Sequence, residues 1–318
     1  MNRAAFLWAT VSAVLISHAA WAQAPPAAAA GEPATTRPAP PSPGIAATVG
    51  KVHIATDRVD KCVAHAAKQV PLHKLPELRN RILANMLLME LTHQYLVANR
   101  AGYDPNDLAE LKATLAAQAK QARMTEQQLL EANGLTEEQL VDQVRLRKLE
   151  RTTTDKQRLA AFMKANPRCF NGSKVRASHI LLPCGVVAPT AEQKAVLARL
   201  EKLRADIKGW RITFEAAAKA YSSCSTGKMG GDLGEFTFDR MVPPFSQAAF
   251  DTDVGRMTEI VRTQFGFHLI KVTGRVDGKQ PPGAGAEKIA AKILFSRFQN
   301  RVLDLALTAC PIIIYKQR

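Results

Sequence analysis

Residues 175–182 read VRASHILL, and they open the segment from Lys174 to Arg275 that decides the fold of this chain. The apolar residues around His179 predict a strand. A second apolar run, residues 265–272 (FGFHLIKV), carries His268 in the same way. A histidine inside an otherwise apolar strand is costly unless it is hydrogen-bonded. One such histidine is explained by a satisfied core position, but two in one small unit indicate a paired polar element.

Two further motifs lie between these strands. Residues 213–220 predict a helix, and Cys224 follows it in the sequence YSSCS. Residues 230–234 (GGDLG) indicate a tight turn of the backbone.

The cysteines and histidines lack the C-x-x-C or H-x-x-x-H spacing that is typical of zinc sites, so metal binding is a weaker alternative. A cysteine–histidine nucleophilic pair stays open from the residues alone.

Together, the motifs resemble the parvulin-type peptidyl-prolyl cis/trans isomerase domain. The matching pieces occur in family order at residues 175–182, 221–225, 230–236 and 265–272. The resemblance implies an α+β fold, in which a four-stranded antiparallel sheet with flanking helices occupies residues 174–275. It also implies an enzyme without cofactor or metal that accelerates rotation about X–Pro bonds. The barrier to amide rotation is about 18–20 kcal/mol, because the C–N bond has partial double-bond character.

The resemblance assigns roles to residues of this chain. The catalytic positions correspond to His179, Cys224, Thr263 and His268. The two histidines are expected to hydrogen-bond each other in the floor of the site. Cys224 is expected to act electrostatically or sterically, and not as a nucleophile.

The apolar pocket for the proline ring maps to Leu233, Met241 and Phe245, with Phe265 as a further substrate-binding position. Two positions depart from the family pattern. Phe265 stands where a small residue is usual, and Val242 stands where a glutamine often follows the pocket methionine. These departures affect the polar wall of the site and leave the proline pocket intact.

The loop of residues 183–190 indicates whether the site prefers phosphorylated substrates. Relatives that prefer phosphorylated Ser/Thr before proline carry a basic cluster between the first strand and the first helix of the domain. Here the loop reads PCGVVAPT and contains no lysine or arginine, so a phosphate would find no donors there. The sequence therefore predicts no preference for phosphorylated substrates.

The N-terminus has the features of a secretory signal over residues 1–22. Arg3 provides a basic residue, residues 4–16 are apolar, and residues 20–22 (AWA) form a small-x-small cleavage site. An uncleaved anchor facing the periplasm is the alternative. Residues 23–48 are rich in alanine and proline and predict a linker without a core. The expected location is the periplasm.

Residues 49–166 are predicted to be helical. A long helix opens at Pro76, a second covers Asp107–Ala122, and Thr125 and Thr136 cap a third and a fourth, the last running to Lys164. This pattern resembles the N-terminal region of the exported chaperones SurA and PrsA. By that resemblance, a helix and a strand in residues 286–318 return to complete a helical chaperone body, with the isomerase domain inserted. Residues 166–173 and 277–285 are the hinge candidates.

Cysteine count and charge add weaker expectations. Of five cysteines, Cys224 is predicted to be free, and Cys62–Cys310 and Cys169–Cys184 are candidate disulfides. The formal net charge of +15 fits a solvated basic face, and also contact with an anionic membrane surface or acidic client segments. Nucleic acid is not an expected partner of an exported chain.

The predicted function is that of an exported prolyl isomerase and chaperone. Its partners would be unfolded or partly folded secreted or outer-membrane proteins that contain X–Pro bonds, whose unaided isomerisation takes tens of seconds. The alternative is a chaperone that only binds clients and whose parvulin domain is inactive, an alternative favoured by Phe265.

Overall fold

The computed structural model describes residues 37–67 and 70–316. The predicted signal sequence, residues 1–22, and the first part of the Ala/Pro-rich segment lie outside the described residues. Within the two described ranges, no helix is both long and apolar enough to cross a membrane.

Strands and helices alternate in two groups along the described chain. The strands are β1 (Ile45–Val49), β2 (Val52–Ala55), β3 (Lys174–Pro183), β4 (Asp232–Thr237), β5 (Val261–Thr263), β6 (Gly266–Val276) and β7 (Ile312–Ile314). The helices are α1 (Thr56–Ala67), α2 (Leu75–Ala98), α3 (Pro105–Ala122), α4 (Glu126–Ala132), α5 (Glu137–Thr153), α6 (Lys156–Ala165), α7 (Thr190–Lys208), α8 (Phe214–Tyr221), α9 (Pro243–Asp251) and α10 (Ala286–Ala309).

The larger sheet has the strand order β4-β3-β6-β5, and all of its neighbouring pairs are antiparallel. We call residues 174–276 the sheet domain. In the register of β3 and β6, His179 lies opposite Ile270, which places His268 diagonally across on the same face. Diagonal cross-strand neighbours are within reach of long or aromatic side chains. The fold is the α+β arrangement with a four-stranded antiparallel sheet that the sequence predicts.

The two faces of this sheet carry different cores, because side chains alternate along a strand. Ile180 and Leu269 face helices α7 and α8, where Leu200 and Phe214 complete a core. On the opposite face, the strand residues around His179 pack against the phenylalanines of β4 and α9. The alternation therefore separates the histidine face from the main helix-covered core.

The rest of the described chain forms the helical body. Its small sheet has the order β2-β1-β7, so that the strand at the end of the described chain pairs with the first one. Helix α10 packs against α2, with Leu303 and Ala306 in the same core as Leu87 and Leu91. The chain leaves this body before β3 and returns to it after β6.

Helix α10 also packs on the sheet domain. Its first half contributes Ala290 and Ile293 to the cluster that contains Val175 and Phe250. Phe162 of α6 belongs to the same cluster. The two cores are thus joined through α6 and α10.

The loop of residues 183–190 docks on the body. Val186 and Val187 are buried among Leu303 and Ile312. Thr190 Oγ1 accepts a hydrogen bond from the backbone N–H of Ile312 at 2.9 Å. The loop therefore lies against the helical body.

Arg262 of β5 fastens this loop. Its guanidinium donates to the carbonyl oxygen of Val186 at 2.9 Å and to Gln193 Oε1 at 2.7 Å, and it lies 3.4 Å from an oxygen of Asp304 on α10. Burial lowers the pKa of Arg262, while the Asp304 charge opposes that change. The arginine joins the sheet, the loop and α10 at one point.

Two predicted boundaries in the body are wrong. The fourth predicted helix does not continue to Lys164, because it ends at Thr153. A new helix begins at Lys156, and the side chain of Asp155 caps it by accepting a hydrogen bond from the backbone N–H of Arg158 at 2.9 Å. The predicted linker does not extend to residue 48, because β1 begins at Ile45. The small, buried Ala46 and Ala47 fit against the core there.

The disulfide predictions are also wrong. All five cysteines are free, so neither Cys62–Cys310 nor Cys169–Cys184 is bonded. Cys62 Sγ instead approaches the carbonyl oxygen of Glu131 at 3.2 Å. Burial, with help from nearby carboxylates, raises the pKa of Cys169 and of Cys184 to about 12. Both thiols are therefore protonated at neutral pH.

The two crossings between body and sheet domain are tied to each other. Asn171 Nδ2 donates to the carbonyl oxygen of Gly278 at 2.9 Å, and the Gly278 N–H donates to Ser173 Oγ at 2.9 Å. Arg168 and Asp277 form an ion pair at 3.1 Å across the same junction. The hinge candidates at residues 166–173 and 277–285 thus lie side by side.

Candidate active site

The two strand histidines form a buried hydrogen-bonded pair. Nδ1 of His179 lies 3.3 Å from Nδ1 of His268, and the rings are nearly parallel, with 19° between their planes. The other ring nitrogen of His268, Nε2, is 2.7 Å from Thr263 Oγ1. Thr263 also accepts the backbone N–H of Phe265 at 3.1 Å. A chain of polar contacts therefore runs from β5 through β6 to β3.

This series of polar contacts ends at His179. Nε2 of His179 is buried and has no hydrogen-bond partner among the described residues. A buried polar atom without a partner costs roughly 1–3 kcal/mol and is uncommon in native proteins. This unpaired nitrogen therefore needs a specific explanation, such as a role in the site.

An aromatic wall stands over the pair. The ring of Phe245 meets both imidazoles edge-on, with centroids 5.5 Å from His179 and 5.4 Å from His268. Leu233 and Met241 pack against the same apolar cluster as Phe245 and stay partly exposed. The structure therefore places Leu233 and Met241 on the same cluster as Phe245, and the ring of Phe245 contacts the histidine pair.

Burial keeps both histidines neutral. It lowers the pKa of His179 to about 4. Burial also lowers the pKa of His268 to about 3, with a smaller contribution from the neighbouring His179. At neutral pH the floor of the site therefore carries no net charge, and it presents polar N–H and N groups instead of a cation.

Cys224 lies in the turn that follows α8 and is partly buried. Its sulfur accepts the hydroxyl of Thr226 at 3.4 Å, and its backbone N–H donates to Ser222 Oγ at 3.3 Å. Both ring nitrogens of His268 and Nδ1 of His179 have other partners, and His179 Nε2 has none. Within the described ranges, no imidazole is thus hydrogen-bonded to the thiol as a nucleophilic pair requires.

Phe265 is the predicted substrate-binding residue that stands apart. Its backbone reaches Thr263, but its partly buried ring is not part of the cluster around Phe245. The next residue, Gly266, has a φ of +134°, and a Cβ atom there would lie 2.3 Å from the carbonyl oxygen of Leu182. The bend that begins β6 therefore needs glycine.

Two supporting residues were missed by the sequence reasoning. Gly231, at a φ of +82°, accepts the His179 N–H at 2.9 Å, and a Cβ there would lie 2.3 Å from the His179 carbonyl oxygen. Ser222 Oγ accepts the N–H of Leu181 at 3.1 Å as well as that of Cys224. In the sequence, the two glycines indicate a turn but not that the turn pairs with β3. A serine after a helix does not indicate that its hydroxyl will join β3 to the Cys224 turn.

The described ranges contain no group of three or more His, Cys, Asp or Glu side chains placed to hold a metal ion. The arrangement is instead suited to an uncharged substrate. It combines an apolar wall with a neutral polar floor. Such a site can hold a ring and leave an attached amide free to turn.

Comparisons with known proteins identify the family of the domain that carries these residues. Residues 158–276 match the family model of the PPIC-type PPIase domain. The peptidyl-prolyl cis-trans isomerase Pin1 of Malus domestica is 39% identical over 116 residues, which are 32% of this chain and 96% of that protein. The chain belongs to the PPIC-type peptidyl-prolyl isomerase family. It is a peptidyl-prolyl cis-trans isomerase.

Two bacterial relatives also match about a third of the chain. The foldase protein PrsA of Bacillus subtilis is 41% identical over 101 residues, which cover 31% of this chain and 30% of PrsA. The chaperone SurA of Shigella dysenteriae is 41% identical over 111 residues, which cover 35% of this chain and 25% of SurA. The chain thus matches less than a third of the length of either protein.

The family match begins earlier than the predicted domain. It starts at residue 158, within α6, whereas the sequence motifs placed the start at Lys174. The packing agrees with the earlier start, because Phe162 and Phe170 share a cluster with Val175 of the isomerase domain. Most of the helical body, residues 37–67, 70–157 and 277–316, lies outside the family match.

Proposed function

We propose that this isomerase is an exported foldase that binds unfolded polypeptides and turns their X–Pro bonds. The observation that supports the site assignment most directly is Phe245, edge-on to a neutral, buried histidine pair. In this assignment, Leu233, Met241 and Phe245 hold the proline ring. Phe265 borders the entrance to the pocket.

The proposed mechanism is rotation in an apolar pocket. A planar amide is charge-separated and well solvated, and it loses that solvation in an apolar site. A twisted amide has lost the C–N resonance and is less polar, so the pocket binds it better than the planar form. The ring stays against Phe245 while the preceding carbonyl group rotates.

The polar residues act on the rotating carbonyl group without forming a bond to it. Cys224 shapes and polarises the border of the site. His179 and His268 give the floor its shape, and Thr263 fixes the orientation of His268 through the 2.7 Å contact. Because the pKa values of the histidines lie at about 4 and 3, neither supplies a proton at neutral pH.

The substrate is proposed to be unphosphorylated. The 183–190 loop has no basic residue, and Val186 and Val187 are buried against the helical body. A phosphate placed there would displace apolar contacts, and the Arg262 guanidinium beside the loop is already held by Val186, Gln193 and Asp304. Peptides with Ser-Pro and phospho-Ser-Pro test this, since the phosphorylated form should not be the better substrate.

The foldase part of the proposal rests on the body and on the N-terminus. The body adds helices and a small sheet to the isomerase domain, more than the turnover of a short peptide requires. The names of the relatives PrsA and SurA, a foldase and a chaperone, point the same way. Residues 1–22 have the pattern of a cleaved signal, which favours a periplasmic location.

One experiment tests both parts. Exchange NMR on a proline peptide measures isomerisation, and light scattering of a denatured client measures chaperone activity. The proposal expects both activities in the wild type and loss of the first alone in Phe245→Ala. Suppression of aggregation without wild-type turnover would favour the binding-only chaperone. Turnover without any effect on clients would refute the foldase role.

A further inference from the structure

The edge of β3 that faces β4 changes its partner part-way along the strand. The pairing of β3 with β4 ends at Ser178. At the next residue, the N–H of His179 donates to the carbonyl oxygen of Gly231 at 2.9 Å. Two residues further on, the N–H of Leu181 donates to the side chain of Ser222. The turn between α8 and β4 therefore completes this edge in the part of β3 that carries His179.

Ser222 joins this turn to β3 through its hydroxyl group. Its Oγ atom accepts the N–H of Leu181 at 3.1 Å and the N–H of Cys224 at 3.3 Å. A hydroxyl oxygen has two acceptor lone pairs, so it can accept from both donors at once. The adjacent Ser223 N–H donates to the carbonyl oxygen of Leu181 at 2.9 Å. Both backbone groups of Leu181 are thus bonded to the turn, and the Ser222 oxygen links that strand position to the backbone of Cys224.

Leu181 is a neighbour of both histidines in the sheet. It lies opposite His268 in the register of β3 and β6. It also follows His179 by two residues, and side chains two apart along a strand lie on the same face. Ser222 therefore bonds the Cys224 backbone to the strand position that adjoins the histidine pair.

Two other contacts of Cys224 lie within the turn itself. The Thr226 hydroxyl donates to Cys224 Sγ at 3.4 Å, and the Gly227 N–H donates to the Cys224 carbonyl oxygen at 2.9 Å. Because Thr226 and Gly227 belong to the same turn, these contacts shape it without fixing its place on β3. The contact that does so next to Cys224 is the one made by Ser222.

We propose that Ser222 is a positioning residue of the isomerase reaction, and that its hydroxyl holds Cys224 in place beside the histidine pair. The inference rests on the proposed assignment of Cys224 to the active site. Ser222 acts through Cys224 and does not contact the substrate. The loss of a contact that positions a group for the transition state lowers kcat more than it changes KM. Removal of the Ser222 hydroxyl should therefore lower kcat and leave KM near its wild-type value.

The first test measures kcat and KM of the full-length protein by exchange NMR on a proline peptide. Turnover is normalised to the folded fraction, which circular dichroism gives for each variant. Ser222→Ala should lower kcat about tenfold, whereas Ser222→Thr keeps the hydroxyl and should restore the wild-type value. The matched control is Ser223→Ala, which changes an exposed side chain, keeps the backbone N–H and should behave like the wild type.

A double-mutant cycle shows whether Ser222 acts through Cys224. In the Cys224→Ala background, the side chain that Ser222 positions is absent. Adding Ser222→Ala there should have little further effect on kcat. A serine that only stabilised the fold would lower turnover by the same factor in both backgrounds.

Alkylation by iodoacetamide reports on the turn independently of turnover. Trypsin releases residues 220–228, in which Cys224 is the one thiol, so mass spectrometry follows this site alone. The side chain of Cys224 is partly buried, and Ser222→Ala should raise its alkylation rate at least about threefold, because the turn opens more often. Ser222→Thr and Ser223→Ala should leave the rate unchanged.

Two kinetic results would overturn the inference. One is a kcat of Ser222→Ala equal to that of Ser223→Ala, and the other is an equal loss with and without the Cys224 side chain. An unchanged alkylation rate in Ser222→Ala would refute the role of the hydroxyl even if Cys224 proved essential. Wild-type turnover in Cys224→Ala would instead refute the assignment of Cys224 to the active site, on which the inference rests.

Discussion

Acidification should destabilise this protein through its buried histidine pair. The pKa values of His179 and His268 fall from about 6.5 in the unfolded chain to about 4 and 3 in the folded protein. Between these limits the unfolded chain binds more protons than the folded one. Stability is therefore complete above about pH 6.5 and is lost as the pH falls towards 4.

The size of the effect follows from the two shifts. Each histidine reduces the free energy of unfolding by about 1.4 kcal/mol per pH unit once the pH is well below 6.5, so the pair contributes about 2.7 kcal/mol per unit. From pH 7 to pH 5 the loss amounts to roughly 4 kcal/mol. That is a large share of the 5–15 kcal/mol that stabilises a typical domain.

Urea unfolding followed by circular dichroism at pH 7 and pH 5 measures this difference. The wild type and His73→Gln, an exposed position in the body, should lose about 4 kcal/mol between the two pH values. The double variant His179→Asn/His268→Gln has no titrating pair and should lose far less, whatever its stability at pH 7. If the double variant and the wild type lose the same amount, the histidines are not the buried neutral pair described here.

Three further predictions concern the pocket, the thiol and the domain boundary. Phe245→Ala should abolish most turnover measured by exchange NMR, and should lower the free energy of unfolding by about 3–5 kcal/mol, because it empties a buried aromatic site. Turnover close to that of the wild type would show that the proline ring binds elsewhere. Cys224→Asp should keep substantial activity and Cys224→Ala should keep some, whereas a covalent adduct seen by mass spectrometry during turnover would establish a nucleophilic thiol. A fragment of residues 156–276 should melt at a higher temperature than one of residues 174–276, since the shorter one lacks Phe162, whose burial contributes about 1.5–3 kcal/mol; equal melting temperatures would mean that α6 is not part of the domain.

The sequence predicted the pairing of the two histidines because the alternation of side chains along each strand is a local signal. The alternation along two apolar strands places His179 and His268 in pairing distance, and the family motifs supply Phe245 and Cys224. A helix cap such as Thr125 is equally local, and its side chain accepts the Gln128 N–H at 3.1 Å as expected.

Features that depend on distant partners were missed. The apolar residues of the 183–190 loop do not reveal in sequence that they dock on α10 and β7. Nor does the periodicity of α10 distinguish Ile293, which packs on the isomerase domain, from Leu303, which packs on the body. The Cys62–Cys310 pair was predicted from the expected packing of two segments. Two segments can pack together and still hold their cysteine Cα and Cβ atoms outside the narrow distance range that a disulfide requires.

The pairing of β1 with β7 has a consequence for the order in which the chain can fold. Residues 47–49 pair with residues 312–314, so the edge of β1 that will receive β7 lacks its partner until almost the whole chain has been made. The isomerase domain draws its sheet from residues 174–276 and can close before that moment. An open strand edge is prone to pair with other chains. We therefore expect aggregation to be greatest for incomplete chains that end between residues 276 and 312. In such chains the catalytic domain is complete, but β7 is missing from the small sheet of the body.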